Sequence, residues 1–155
     1  MPTFEIVDFA PNYAAAFDRL NREWLETYFR VEPIDQLALT DPQAAIIDPG
    51  GAILFARAGD DIQGTVALKH HGEKVFELTK MAVTPGAQGL GIGRALLCAA
   101  IGRYASLHGK CLYLESHSSL TTAIRLYERA GFVHAEPPAP SEYARADVYM
   151  IYRDS

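Results

Sequence analysis

Hydrophobic and polar residues alternate along the chain in patterns that predict eleven elements. The apolar residues between 17 and 28 recur every three or four positions, a spacing typical of an amphipathic helix. Short apolar runs bounded by glycine, proline or aspartate are typical of strands, and Gly59-Asp60-Asp61 indicates a hairpin turn between two of them. Strands are predicted at residues 4–9, 53–56, 62–68, 74–83, 111–114, 132–135 and 147–152, and helices from Pro11 to Tyr28 and at 33–45, 91–108 and 118–130.

The order β-α-α-β-β-β-α-β-α-β-β favours an α/β domain with one mixed sheet. Ser118 or Ser119 is the predicted N-cap of the last helix. Gly109 and Gly131 are the predicted residues that end the last two helices. Prolines between residues 137 and 140 keep that segment out of a central strand.

Composition and charge restrict the classes of protein that fit this pattern. With 155 residues and 49% apolar content, we expect a single domain over residues 1–155. The net charge of −5 argues against nucleic-acid partners, and no apolar run reaches the roughly 18 residues that a membrane helix needs. The first five residues lack the pattern of a secretory signal. Cys98 and Cys111 are expected to be buried thiols, which fits a cytoplasmic location.

The most informative segment joins the strand at 74–83 to the helix at 91–108. It contains Gly89, Gly91 and Gly93, directly before and at the start of the helix. Amides at a helix start lack intrahelical partners and carry partial positive charge, and glycines let a ligand approach that backbone closely. The alternative is a tight turn without a ligand. Because no Gly-Lys-Ser/Thr follows and Leu96 stands where a dinucleotide fingerprint needs glycine, a different phosphate site is indicated.

The pattern Gln88-x-x-Gly91-x-Gly93 resembles the acetyl-CoA pyrophosphate loop of the GCN5-related N-acetyltransferases, the GNAT superfamily. Residues 78–83 resemble the strand that precedes this loop in the family, and 114–132 its fifth strand and fourth helix. The resemblance implies a GNAT-like acyl-CoA N-acyltransferase fold. It also implies transfer of an acetyl group from acetyl-CoA, without a metal, to a primary amine of a small molecule or peptide, by direct attack in a ternary complex.

The resemblance assigns the cosubstrate site to two segments and two catalytic roles to single side chains. Tyr127 is the expected acid for the leaving thiolate, and its alternative role is a core aromatic residue. Glu77 is the expected base, unless it is a solvated carboxylate; strand alternation places it on one face with Thr79, Met81 and Val83. The expected cosubstrate-binding residues are Met81, Ala82, Val83 (its amide as oxyanion donor), Gln88, Gly89, Leu90, Gly91, Ile92, Gly93, Arg94, His117 and Ala123.

Among the expected cosubstrate-binding residues, Arg94 and His117 have alternative roles. Arg94 either bonds a phosphate or is an ordinary surface residue. His117 stands where the family often has asparagine, and it is either an acid–base group, a polar cosubstrate contact or a structural residue. His70 and His71 occupy adjacent strand positions that point to opposite faces, which argues against a metal site.

By resemblance, the acceptor site is built from residues 21–35 and 136–149. An aromatic and acidic lining there suits a cationic amine, whereas Arg145 would suit a substrate carboxylate; packing roles are the alternative for all of these residues. Residues 1–61 carry four basic and eleven acidic side chains, and residues 78–114 carry four basic and none acidic. The expected substrate-binding residues are Trp24, Tyr28, Phe29, Glu32, Tyr143 and Arg145, with Asp35 and Tyr149 in the same segments.

Two functions therefore follow from the sequence. One is an acetyl-CoA-dependent N-acetyltransferase; the other is a non-catalytic acyl-CoA-binding or sensing domain with the same fold. The sequence leaves open whether the chain forms a homodimer.

Overall fold

The fold is described from a computed structural model, in which residues 3–153 are placed well enough to describe. Its helices and strands follow one another in the predicted order. The elements are β1 Glu5–Asp8, α1 Ala14–Tyr28, α2 Pro33–Thr40, β2 Ala52–Ala58, β3 Asp61–His70, β4 Val75–Val83, α3 Ile92–Ser106, β5 Cys111–Ser116, α4 Thr121–Ala130, β6 Phe132–His134 and β7 Val148–Tyr152.

The strands form one mixed sheet in the order β1-β2-β3-β4-β5-β7-β6. Only the β4–β5 pair is parallel, and it joins residues 75–77 to 111–113 and nothing beyond them. Past Glu77, β4 continues to pair with β3 as far as Val83, and β5 continues to pair with β7 as far as Ser116. The sheet therefore opens into a gap between β4 and β5, and this gap holds the candidate site.

Helices cover both faces of the sheet. Phe17 of α1 and Leu39 of α2 pack with Phe55 of β2 on one face. On the other face, Leu96 and Leu97 of α3 pack with the side chains of Leu54, Leu68, Phe76 and Leu78. This alternation of apolar side chains along β2 is what a strand buried on both faces requires.

A bulge in β4 changes which side chains share a face. Thr65 pairs with Ala82 while Ala67 pairs with Thr79, so β4 has one more residue than β3 over this interval. Lys80 takes up the extra residue with a left-handed φ of 54°. Met81 and Val83 consequently pack on the core of the α3 face with Phe76 and Leu78. The prediction that Met81 and Val83 share a face with Glu77 is therefore wrong.

Several local predictions also need correction. Helix α2 ends at Thr40 rather than 45, because Pro42 lacks an N–H, and a π-helical turn follows at Gln43–Ile47. Helix α4 starts at Thr121 without a side-chain cap, since Ser118 is hydrogen-bonded to Asp147 instead.

Predictions about four single residues have mixed outcomes. Gly131 ends α4 in a left-handed conformation, as predicted. After α3 the left-handed residue is His108 rather than Gly109, and Gly109 instead lies so close to the Tyr104 ring that a Cβ would not fit there. Cys98 is exposed rather than buried, and Cys111 is partly exposed.

Candidate active site

A groove of about 550 Å³ runs between the loop that joins β4 to α3 and the N-terminal half of α4. Most of the residues expected to bind the cosubstrate lie along it. They are Met81, Ala82, Val83, Gln88, Gly89, Gly91, Ile92, Gly93, Arg94 and Ala123. Leu90 lies outside this lining and is 45% exposed, and His117 lines the neighbouring cleft instead.

The backbone of the β4–α3 loop is shaped for an anion. Gly89 and Gly91 have φ values of 85° and 83°, a left-handed conformation that glycine adopts without strain. Helix α3 starts at Ile92 with no side-chain cap and no acid in its first turn, so its first amides are free to bind a ligand. Arg94 and Arg129 line the groove, and no acidic residue does among the described residues. These features suit a phosphate group.

The sequence analysis missed part of this groove. Ser119, Thr121 and Thr122 line it around the start of α4, and Arg129 lines it near the end of that helix. The run of serine and threonine residues around this start is a visible signal, for which the sequence analysis predicts only a capping role.

A second, narrower cleft of about 80 Å³ lies in the gap between β4 and β5. Helix α1 contributes Trp24 to it, Phe29 follows from the end of that helix, and Tyr143 comes from the segment between β6 and β7. The strands contribute Glu77, Leu78, Thr79, Lys80, Met81, Leu114, Glu115 and Ser116. Of these, Glu115 is a cleft residue that the sequence analysis did not identify.

The groove and the cleft meet at Tyr127. Both are lined by Trp24, Met81, Leu120 and Tyr127. Tyr127 is half-buried and packs edge-on against Phe132, with ring centroids 6.1 Å apart. Burial raises the pKa of Tyr127 to about 12, so its hydroxyl stays protonated at neutral pH and faces the point where two ligands would meet.

Glu77 is a buried carboxylate rather than a solvated one. It is 4% exposed, and its Oε1 lies 2.9 Å from Nε2 of His71. It pairs across the sheet with Tyr113 of β5, at the last position before the strands separate. Its negative charge contributes, after burial, to raising the pKa of Tyr113 and of Tyr143.

Four charged side chains form a buried cluster behind the cleft, and two of them, Lys80 and Arg145, also line the cleft. Lys80 Nζ lies 2.9 Å from Asp35, and Arg145 bonds both oxygens of Asp35 at 2.7 and 2.8 Å and Glu32 at 3.0 Å. Burial alone would raise the pKa of Asp35, but the hydrogen bonds from Arg145 and the charge of Lys80 lower it to about 2. The ring of Tyr143 lies under both cations, and its centroid is 5.0 Å from Lys80 Nζ and 4.8 Å from the central carbon of the Arg145 guanidinium.

This cluster bears on the alternative role of Arg145. Two carboxylates balance the two cations, and Arg145 bonds both of them. A substrate carboxylate would have to displace Glu32 or Asp35 from Arg145. Glu32 also accepts the backbone N–H groups of Ala144 and Arg145, so it ties α2 to the segment that covers the cleft.

The other expected acceptor residues lie in different places. Tyr28 is 50% exposed and lines the groove rather than the cleft. Glu32 lies outside the cleft lining. His117, which was expected to bind the cosubstrate, packs edge-on against Phe29 and bonds Ser119 at 2.7 Å. Tyr149 stacks on Tyr113 outside the cleft.

The sequence of this chain is similar to the sequences of known acetyltransferases. The sequence model described as the acetyltransferase (GNAT) family matches residues 15–132. A mycothiol acetyltransferase from Cellulomonas flavigena is 33% identical over 111 residues, which are 61% of this chain and 32% of that protein. Another, from Geodermatophilus obscurus, is 39% identical over 55% of this chain and 29% of that protein. The chain thus spans about a third of the length of these curated relatives.

Solved structures show the same fold. An acetyltransferase of the GNAT family from Staphylococcus aureus superposes with a TM-score of 0.86 at 19% identity, covering 97% of this chain and 98% of that one. The PaiA N-acetyltransferase of Thermoplasma acidophilum, solved with coenzyme A, has a TM-score of 0.75 at 17% identity, covering 98% and 99%. YncA from Salmonella typhimurium, solved with acetyl-CoA, has 0.73 at 18%, covering 96% and 92%.

Across residues 3–153, none of the helices combines the length and apolar character needed to cross a membrane. The same residues include no group of three or more metal-ligating side chains.

Proposed function

Because the chain belongs to the acetyltransferase (GNAT) family, we propose that it transfers an acetyl group from acetyl-CoA to a primary amine within a ternary complex. The observation that carries this proposal is the meeting of the groove and the cleft at Tyr127. The wide groove suits the cosubstrate, whose phosphates would bind the amides at the start of α3 and Arg94. The narrow cleft suits a slender amine-bearing group.

The chemistry needs a base close to the amine. A free aliphatic amine has a pKa of roughly 10 and must lose a proton before or as it attacks. Glu77 lines the cleft and is buried, which supports its assignment as the base. Glu77 takes the first proton of the ammonium and passes it to water, and the neutral nitrogen then attacks the thioester carbonyl carbon and forms a tetrahedral intermediate. Glu77 takes the second proton from the nitrogen as this intermediate collapses.

The oxyanion and the leaving group each need a donor. The N–H of Thr84 bonds Gln63 on the β3 side, and successive N–H groups of a strand point in opposite directions. The Val83 N–H is thereby directed towards the open gap, where it would stabilise the oxyanion. When the C–S bond breaks, the protonated Tyr127 hydroxyl donates to the thiolate, and water returns the proton to Tyr127.

The charges of the cleft support a cationic acceptor. Lys80 and Arg145 are neutralised by Asp35 and Glu32, whereas Glu115 bonds only the neutral Ser141 hydroxyl. The uncompensated charge around the cleft is therefore negative, which attracts an ammonium group and repels a carboxylate. The acceptor is a small molecule or peptide with a primary amine. Its identity does not follow from the curated relatives, which are named for mycothiol acetylation and align over about a third of their length.

The test is the release of free CoA thiol from acetyl-CoA with a panel of primary amines. We expect release with at least one cationic amine and a fall in kcat of about 100-fold in Tyr127→Phe, the lower range for loss of a general acid. Tyr152→Phe is the matched control, because Tyr152 also packs on Phe132 but lines neither the groove nor the cleft. Acetyl-CoA binding without release by any amine would favour the sensing domain.

A second variant tests the groove alone. Gly91→Glu places a side chain at a left-handed position and an acid beside the expected phosphates. We expect it to abolish measurable acetyl-CoA binding in calorimetry while the protein stays folded. Unchanged affinity would refute the assignment of the loop to phosphate.

A further inference from the structure

We propose that His71 is a positioning residue that orients Glu77 for amine deprotonation. This inference rests on the proposed function, because it concerns the base of that reaction. His71 follows β3, and its Nε2 lies 2.9 Å from Oε1 of Glu77. Its imidazole is 30% exposed while the Glu77 side chain is 5% exposed, so the pair connects a buried carboxylate to solvent.

The contact follows from the strand register. Lys69 pairs directly with Glu77, and His71 is the next residue along the chain on the same face of the hairpin. Tyr113 flanks the imidazole, with ring centroids 5.8 Å apart. His71 is therefore held between a buried carboxylate and an aromatic ring, a more ordered position than the end of an exposed hairpin usually provides.

His71 acts through Glu77 because it lies outside the cleft lining. A donated Nε2–H occupies Oε1 and leaves Oε2 to receive the amine proton. Losing His71 would leave Oε1 of this buried carboxylate without its hydrogen-bond donor. The Glu77 side chain would then no longer be held with Oε2 free for the amine proton.

Other charged and titratable groups around Glu77 do not replace this contact. Lys80 is close enough to interact by charge but bonds Asp35. Lys69 is the cross-strand neighbour of Glu77, but among the described residues it forms no ion pair with Glu77. The remaining neighbours are acidic or phenolic and cannot supply positive charge: Tyr113 and Glu115 on β5, and Glu142 and Tyr143 in the covering segment.

The experiment measures kcat and KM for His71→Ala and His71→Gln with the amine found in the release assay. A hydrogen bond to a charged group predicts a fall in kcat of about tenfold to 100-fold in His71→Ala, with KM for acetyl-CoA unchanged. His71→Gln keeps an N–H donor and should recover most of the rate.

Two controls separate positioning from folding. His70→Ala removes the adjacent histidine, whose ring packs on Phe76 4.8 Å away and bonds Pro49; it should leave kcat unchanged. In a Glu77→Gln background, His71→Ala should cause no further loss, since His71 acts only through Glu77. Thermal unfolding midpoints show that each variant is folded.

The outcomes separate the two proposals. If the wild-type protein releases CoA with an amine and His71→Ala keeps the wild-type kcat, the role of His71 is refuted and the acetyltransferase proposal stands. The role is also refuted if His71→Ala slows the Glu77→Gln variant as much as it slows the wild type. If no amine causes the release of CoA, both proposals are refuted.

Discussion

The buried cluster behind the cleft gives a sharp prediction about stability. Asp35 has a fully buried side chain and accepts hydrogen bonds from both Lys80 and Arg145. Asp35→Ala would leave the cations of Lys80 and Arg145 facing each other, and the side chain of Lys80 is buried. Removing one partner of a buried ion pair costs about 3–5 kcal/mol, and we expect Asp35→Ala to lower the free energy of unfolding by that amount.

The same residue predicts a pH dependence. The pKa of Asp35 falls from 3.8 in the unfolded chain to about 2 in the folded protein. Its stabilisation is therefore fully present above pH 3.8 and is lost as the pH falls through 2. The shift corresponds to about 2 kcal/mol of unfolding free energy, which the wild type should lose over this range and Asp35→Ala should not.

Urea denaturation at pH 7 and at several values between pH 4 and 2 measures both effects. Glu26→Ala is the control for a lost acid, because Glu26 is exposed on α1, and it should change the unfolding free energy by less than about 0.5 kcal/mol. A loss under about 1 kcal/mol in Asp35→Ala at pH 7 would mean that Lys80 and Arg145 find other partners, and it would refute the balanced cluster.

Two glycines give opposite predictions for the same substitution. Gly51→Ala would place a Cβ 2.2 Å from the Leu68 carbonyl oxygen and 2.6 Å from that of Ile46. Because backbone atoms cannot move aside, we expect the free energy of unfolding, measured by urea denaturation, to fall by about 3 kcal/mol. An unchanged urea midpoint would contradict this packing. Gly102→Ala on the exposed side of α3 meets nothing within 4 Å and should raise stability by about 0.5–1 kcal/mol; a lower thermal midpoint would contradict it.

The lining of the groove proposed for the cosubstrate was largely predictable because many of its residues are close together in sequence. A strand, a glycine loop and a helix start within residues 81–94 place amides, glycines and Arg94 along one surface. Their arrangement follows from local backbone geometry alone. Leu90 is the exception: between two left-handed glycines, its side chain turns towards solvent.

The cleft proposed for the acceptor was much less predictable because separate segments build it. Whether Glu77 is solvated or buried depends on where β4 leaves β5, and no local pattern marks that point. The bulge at Lys80 reverses the alternation that the sequence suggested for Met81 and Val83. The contact between His71 and Glu77 depends on the register of two strands, which the chemistry of either residue does not reveal.

The distribution of charge along the sequence also has a different meaning in the folded chain. The acidic excess of residues 1–61 suggests a surface that attracts an amine, but five of its eleven carboxylates are engaged in ion pairs. They pair as Glu5 with Arg57, Asp8 with Arg103, Asp18 with Arg22, Glu32 with Arg145, and Asp35 with Lys80 and Arg145.

The carboxylates that line the cleft come instead from β4 and β5. Glu77 and Glu115 lie on either side of the gap between these strands, outside the acidic first segment of the chain. Any selectivity for a cationic acceptor should therefore depend on these two side chains rather than on the excess charge of residues 1–61. The acidic N-terminal segment contributes indirectly, because Asp35 and Glu32 neutralise the two cations that would otherwise oppose an ammonium group in the cleft.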